Sequence, residues 1–246
     1  MPFDKEKKKV VTGAQDMHSD PSKVVELPNG NLRIYEKQKY YPPIGSLLSS
    51  KGDREKDRYA PAFDFKECQN ITLNNVTVHH ALGMAYLFER SENIKIRGCK
   101  VVLPPNSDRV ISSTADATHF ANCKGDILIE GCTFENMLDD GTNVHGTYVE
   151  VNKIIDSKTI RVALKHFEQL GFKFAAPGDE VWFIKYPSPA RAETNTVTKI
   201  NIINETYMDL TFANAIPSDL KTGDVVENKT WNPTFTVRGC TIRNHR

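Results

Sequence analysis

The sequence predicts an all-β chain: a right-handed parallel β-helix, a solenoid of stacked coils, with an inserted small β-barrel or sandwich. Three observations predict it. First, four stretches repeat one pattern: Asn70-Ile-Thr-Leu-Asn-Asn-Val-Thr-Val78, Asn93-Ile-Lys-Ile-Arg-Gly-Cys-Lys-Val101, Asp126-Ile-Leu-Ile-Glu-Gly-Cys-Thr-Phe134 and Thr234-Phe-Thr-Val-Arg-Gly-Cys-Thr-Ile242. Each largely alternates apolar and polar residues, turns at Asn or Gly and resumes on an apolar residue, which reads as strand, bend, strand. Second, the step from Ile71 to Ile94 is 23, the length of a bare coil of three short strands. Third, Ile127 and Phe235 are separated by several times that length, so something is inserted after Gly146.

In chain order, residues 1–60 are polar and lysine-rich. They offer a strand or two around Leu32-Arg-Ile-Tyr35 and are left unassigned, and the charged run Lys51–Arg58 reads as a solvated loop. Residues 61–146 and 232–246 form the coils. The step from Ile94 to Ile127 is 33, so this coil carries about ten extra residues, placed in the loop around Leu103-Pro-Pro-Asn-Ser-Asp108. The insert, 147–231, has its own repeat: Lys153–Val162 resembles Asn201–Leu210, and each is followed by a Gly-Asp turn, Gly178-Asp179 and Gly223-Asp224. Trp231, at its exit, is a candidate to stack on a sugar ring; a partly buried core position is the alternative. The last repeat ends close to the C-terminus and leaves an unpaired strand edge. The chain is therefore expected to be an interior piece of a longer protein.

Composition narrows the function classes. The net charge of +1 gives no electrostatic footprint for nucleic acid or an anionic membrane. No apolar run is long enough for a membrane span, and the first residues lack the apolar core of a signal peptide. Cys99, Cys132 and Cys240 occupy one slot of the repeat, directly after its Gly, which makes them a ladder of small buried thiols. Neither a disulfide nor a metal is read from them, because no Cys/His ligand spacing occurs.

Asp116 and Asp139 are separated by that same bare coil length. Counted from Ile94 and Ile127, with the extra loop subtracted, they take the same phase on adjacent coils and stack at one strand spacing, roughly 4.8 Å. Gly83 takes that phase one coil earlier and leaves room beside them. Asp140 follows in Asp139-Asp-Gly-Thr142, which is good turn chemistry, so a bend there brings both aspartates to one cleft. His119, Asn143 and His145 surround them as candidate substrate-binding residues, with His79 and His80 an earlier coil away and read as structural. Three carboxylates with histidine and amide neighbours suit glycoside hydrolysis, where a protonated acid meets the leaving oxygen while a carboxylate activates water. Crowding of like charges is what keeps one carboxyl protonated near neutrality. A polysaccharide hydrolase or lyase acting on uronates, and a non-catalytic glycan-binding solenoid, are the alternatives.

Three segments, Asp116–Asn122, Gly131–Gly146 and Asn232–Arg246, resemble glycoside hydrolase family 110. These are α-1,3-galactosidases, some of which remove the terminal galactose of the blood-group B antigen. The likeness runs over about residues 60–246, and the double-aspartate stretch is its specific part. The resemblance implies an inverting exo-galactosidase that needs no metal or other cofactor. It implies Asp139 as general acid, with Asp116 and Asp140 as bases holding the attacking water. It also implies a glycan substrate with terminal α-galactose and a longer, exported protein.

Overall fold

A computed structural model describes residues 1–14, 20–49 and 60–245. The charged run Lys51–Arg58 lies outside them. The regular structure of the described residues is nearly all strand; its one helical element is a single 3-10 turn, Phe167–Gln169.

At the N-terminus, β1 (Pro2–Asp4) pairs antiparallel with β2 (Lys9–Val10), and a hairpin joins β3 (Lys23–Glu26) to β4 (Leu32–Tyr35). The chain then returns as β5 (Leu47–Leu48) on the other side of β1. Phe3, fully buried, packs with Val110 and Leu138, so this small sheet is seated against the extra loop and the residue just before Asp139.

Three parallel four-stranded sheets follow, each taking one strand from every pass of the chain. The first pass gives β6 (Phe63–Lys66), β7 (Gln69–Asn74) and β8 (Thr77–Val78). The second gives β9 (Tyr86–Glu89), β10 (Glu92–Arg97) and β11 (Lys100–Val101). The third gives β12 (Thr118–Ala121), β13 (Lys124–Glu130) and β14 (Thr133–Glu135), and the fourth begins with β15 (Thr142–His145). After the barrel described below, the fourth pass resumes as β22 (Thr234–Arg238) and β23 (Thr241–Arg243). The sheets run β15-β12-β9-β6, β22-β13-β10-β7 and β23-β14-β11-β8.

The repeat explains this arrangement. Alternation sends Ile71, Ile94, Ile127 and Phe235 to one level of the interior, and the ladder registers join them as neighbours. Phe65, Phe88 and Phe120 stack with centroids 5.0 and 4.9 Å apart and rings 8° and 5° from parallel. The bends need left-handed backbone, which Asn75, Gly98, Gly131 and Gly239 supply at equivalent corners. At Gly98 a side chain is excluded twice over, by φ of 59° and by the Asn75 amide oxygen, which stands where Cβ would sit.

The cysteine ladder is in place. Cys99 and Cys132 are buried, the Cys132 backbone N–H donates to Sγ of Cys240 at 3.4 Å, and all five thiols are free. Burial pushes the Cys123 thiol up to about 12.

The insert closes as a barrel. Its strands are β16 (Tyr148–Ile154), β17 (Thr159–Ala163), β18 (Glu180–Ile184), β19 (Arg191–Ile202), β20 (Tyr207–Phe212) and β21 (Val225–Asn228). They close in the order β16-β17-β20-β19-β18-β21 around Val149, Val162, Phe183, Leu210 and Val226. In both Gly-Asp turns the aspartate is buried and accepts from the backbone N–H three residues earlier. Asp179 takes that of Ala176 at 2.8 Å and Asp224 that of Lys221 at 3.0 Å.

A polar clasp fixes the barrel to the sheets. Arg90, in the bend after β9 and 4% exposed, donates to Phe174 O at 3.0 Å and to Asp179 at 3.2 Å. Asn122, in the equivalent bend after β12, donates to the same carbonyl at 3.3 Å, and Asn228 joins both Phe174 O and Asp179. Trp231 lies over the Arg90 guanidinium at 4.1 Å. Breaking a buried pair by deleting one partner costs about 3–5 kcal/mol, so Arg90→Ala is expected to lose that much in urea unfolding. Native-state alkylation read by mass spectrometry is expected to label Cys68 and Cys240 and to spare the buried Cys99, Cys123 and Cys132.

Candidate active site

The acidic residues enter at two equivalent corners, just before β12 and just before β15. Ladder bonds continue through both corners: Leu138 N–H donates to Ser113 O at 3.0 Å and Ala117 N–H to Asp140 O at 3.0 Å. Extended pairing thus carries Asp116 and the Asp139-Asp140 turn to one edge of the sheet. One oxygen from each of Asp116, Asp139 and Asp140 lies within 4.8 Å of the others. Asp116 is 2% exposed, Asp139 half-buried and Asp140 exposed.

The stacking partner differs from the one counted in the sequence. Thr118 pairs with Thr142, a step of 24, so Asp116 is level with Asp140 rather than Asp139. The cause is a bulge. Tyr86 pairs with Thr118, a step of 32, but Ile94 pairs with Ile127, a step of 33, and the register shifts between Glu92 and Ile94. The residue gained sits at Gly125, where φ is 70°. Counting from the isoleucines attributed that residue to the loop. Nine of the ten extra residues precede Asp116 and one follows it.

A hydrogen-bonded chain runs out from Asp116. His119 Nδ1 is 2.6 Å from Asp116 Oδ2, His119 Nε2 is 2.9 Å from His145 Nε2, and His145 Nδ1 is 2.8 Å from Gly146 O. A carbonyl only accepts, so His145 Nδ1 carries a proton. These contacts tie Asp116 through both imidazoles to the backbone at Gly146. Asn143 donates to Asp140 at 3.0 Å. Three convergent carboxylates could also hold a divalent cation. Here one oxygen of Asp116 and one of Asp140 are already engaged, and the imidazole nitrogens of His119 and His145 are engaged in the chain above.

His119 and His145 also form one wall of a pocket of about 380 Å³ between this sheet and the barrel. Leu87, Glu89 and Ala121 line it from the strands, Met84 from the bend before β9, and His166, Gln169 and Phe172 from the β17–β18 loop. Trp231 is not among the lining residues; it stacks on Arg90 and Lys124 at the clasp. His79 and His80 contact backbone carbonyls, of Val102 at 3.0 Å and Ser112 at 3.3 Å.

Comparison with known proteins bears on the family. The model for GLAA-B beta-barrel domain II matches residues 159–226, and that for GLAA-B beta-barrel domain I matches residues 1–48. The α-1,3-galactosidase A of Shewanella woodyi is 34% identical over 222 residues, 90% of this chain and 36% of that protein. The α-1,3-galactosidase B of Akkermansia muciniphila is 35% identical over 193 residues, 78% of this chain and 24% of that protein. The α-1,3-galactosidase B of Bacteroides fragilis (strain YCH46) is 36% identical, covering 82% and 35%. The chain belongs to the family of the α-1,3-galactosidases A and B. It spans about a third or less of the length of these relatives.

Within this family member, the stretch matched to barrel domain I supports the double-aspartate turn. Asn136 donates its amide to Lys8 O and to Val110 O, and Leu138 packs on Phe3. Sequence reading missed this support, along with the β17–β18 loop, because neither stretch carries the repeat. Leu87 and Glu89 were recoverable as outward positions of β9. A Cβ on Gly141 would run into Cγ2 of the Ile242 core side chain. Overpacking of this kind costs about 1–3 kcal/mol, so Gly141→Ala is expected to lower the thermal midpoint, and adding Ile242→Ala to relieve the clash and restore the turn. Crystal structures of the two variants would show whether the aspartates move and return.

Proposed function

We propose that the protein containing this chain is an inverting exo-α-galactosidase. It hydrolyses terminal α-1,3-linked galactose from glycans such as blood-group B type structures. The observation that carries the proposal is the convergence of Asp116, Asp139 and Asp140 within 4.8 Å beside a pocket of sugar-sized volume. The names of the relatives support the galactosidase class.

In this reading Asp139 is the general acid, one of three carboxylates that lie within 4.8 Å of one another. It delivers its proton to the glycosidic oxygen as the bond to C1 breaks. Asp140 and Asp116 hold a water on the opposite face of the sugar and take its proton as it attacks C1. His119, 2.6 Å from Asp116 Oδ2, holds that carboxyl in place for this role. Inversion needs acid and base about 6.5–9.5 Å apart, wider than the cluster shows. Asp139 must therefore swing outward onto the substrate, while Asp116, held by His119, stays.

Two further readings go with this one. Three parallel sheets sharing one chain path favour a right-handed β-helix, the hand that parallel crossovers take. Export is proposed because terminal galactose is displayed outside cells. The uronate alternative is disfavoured by a pocket whose lining residues include no Lys or Arg. Retention is the second reading that an observation favours, since the unliganded carboxylates are as close as a retaining pair. Early proton NMR of galactose released from Galα1-3Gal decides between them: β-galactose first is expected, and α-galactose first would overturn the assigned roles. Asp139→Asn is expected to cut the rate by about 10²–10⁴ with galactoside binding retained.

A further inference from the structure

We infer that His119 and His145 are positioning residues for Asp116, and that Asn143 serves Asp140 in the same way, so that none of the three is a ligand of the sugar. This rests on the galactosidase reading, which makes Asp116 and Asp140 the bases, and goes beyond it by assigning the side chains around them.

Register sets the arrangement. β12 and β15 pair with His119 level with Asn143 and Ala121 level with His145. His119 and Asn143 each reach back three residues along their own coil to the aspartate at its corner. His119 Nδ1 lies 2.6 Å from Asp116 Oδ2, and Asn143 Nδ2 donates to Asp140 Oδ2 at 3.0 Å. The same clamp is thus built twice, one coil apart, on the two aspartates assigned to hold the attacking water.

The inner clamp has a second tier. Asp116 is buried, so its carboxyl takes its orientation from His119 rather than from water. Residues two apart on a strand share a face, which puts His119 beside Ala121 and Asn143 beside His145. The small methyl of Ala121 leaves space opposite His145. Across it His145 Nε2 comes within 2.9 Å of His119 Nε2, with the rings 79° apart. His145 Nδ1 is fixed in turn by Gly146 O at 2.8 Å, two residues before the first barrel strand. An imidazole has two nitrogens, and here all four of the pair are engaged. What the pair presents to the pocket it walls is ring carbon, which offers a sugar hydroxyl no partner.

The test is steady-state hydrolysis of Galα1-3Gal by the protein containing this chain. It compares wild type with His119→Leu, His145→Leu, the double variant, Asn143→Leu and His145→Gln. Leucine fills the space without a nitrogen, and His145→Gln returns an acceptor toward His119. Each leucine variant is expected to lower kcat by roughly tenfold to 10²-fold with KM unchanged. The double variant is expected to be no slower than His119→Leu, since His145 acts through His119, and His145→Gln to recover most of the rate. A raised KM with kcat kept, or losses that multiply in the double variant, overturns the assignment. Crystal structures supply a readout that needs no turnover. The Asp116 carboxyl is expected to turn in His145→Leu and to return in His145→Gln; a carboxyl unmoved in both His119→Leu and His145→Leu overturns the assignment. Wild type that releases no galactose sinks the hydrolase reading alone, and the crystallographic comparison still decides the positioning.

Discussion

The buried guanidinium of Arg90 is the constraint on which the working geometry depends. A cation taken out of water at the root of the barrel is tolerable only with its partners in place, and those partners come from two folding units. Phe174 O, Asp179 and Asn228 belong to the barrel; Arg90 and Asn122 belong to bends of the stacked sheets. A slip of the barrel by one residue would strand a charge on each side. Hydrophobic contact alone would permit such a slip, because it is indifferent to direction. The clasp acts as an alignment device, and the pocket above the outward faces of β9 and β12 is the space it leaves open.

Behind the His119 wall of the pocket the difficulty is like charge. Three carboxylates meet where the chain turns, and each is handled differently. Asp116 is buried and contacts His119, which in turn contacts His145. Asp140 is exposed and accepts from Asn143, and Asp139 is half-buried. The turn is backed by Phe3 and Leu138 on one side and Ile242 on the other, so the electrostatic strain is opposed by packing. Gly141 is the point where that packing is tightest.

Much of this was legible in the sequence. The alternation around Ile71, Ile94 and Ile127 and the Gly-Cys bends carry the parallel ladders, because interior positions repeat and ladders are periodic. The proximity of Asp116 to the double aspartate followed from the same arithmetic. The arithmetic erred by one residue because a bulge at Gly125 leaves no mark on alternation, only on register. The barrel announced itself as excess length and a pair of Gly-Asp turns. The small N-terminal sheet did not, since its strands are two to four residues long and draw their stability from Val110 and Leu138 rather than from their own pattern. Trp231 shows the limit in the other direction: an aromatic at a domain exit looks like a sugar platform, and the structure puts it over Arg90 and Lys124.

The barrel interrupts a single rung, between β15 and β22, and its first and last strands are neighbours, with Tyr148 opposite Glu227. For a flexible segment, bringing Phe235 beside Ile127 means closing a loop that contains the whole insert, with a corresponding loss of chain entropy. A barrel that folds first brings its two ends together and makes that loop far shorter. The order of events then matters. The final rung is reached quickly only by a chain whose insert has already closed, which makes the barrel a folding aid to the sheets as well as a roof over their pocket.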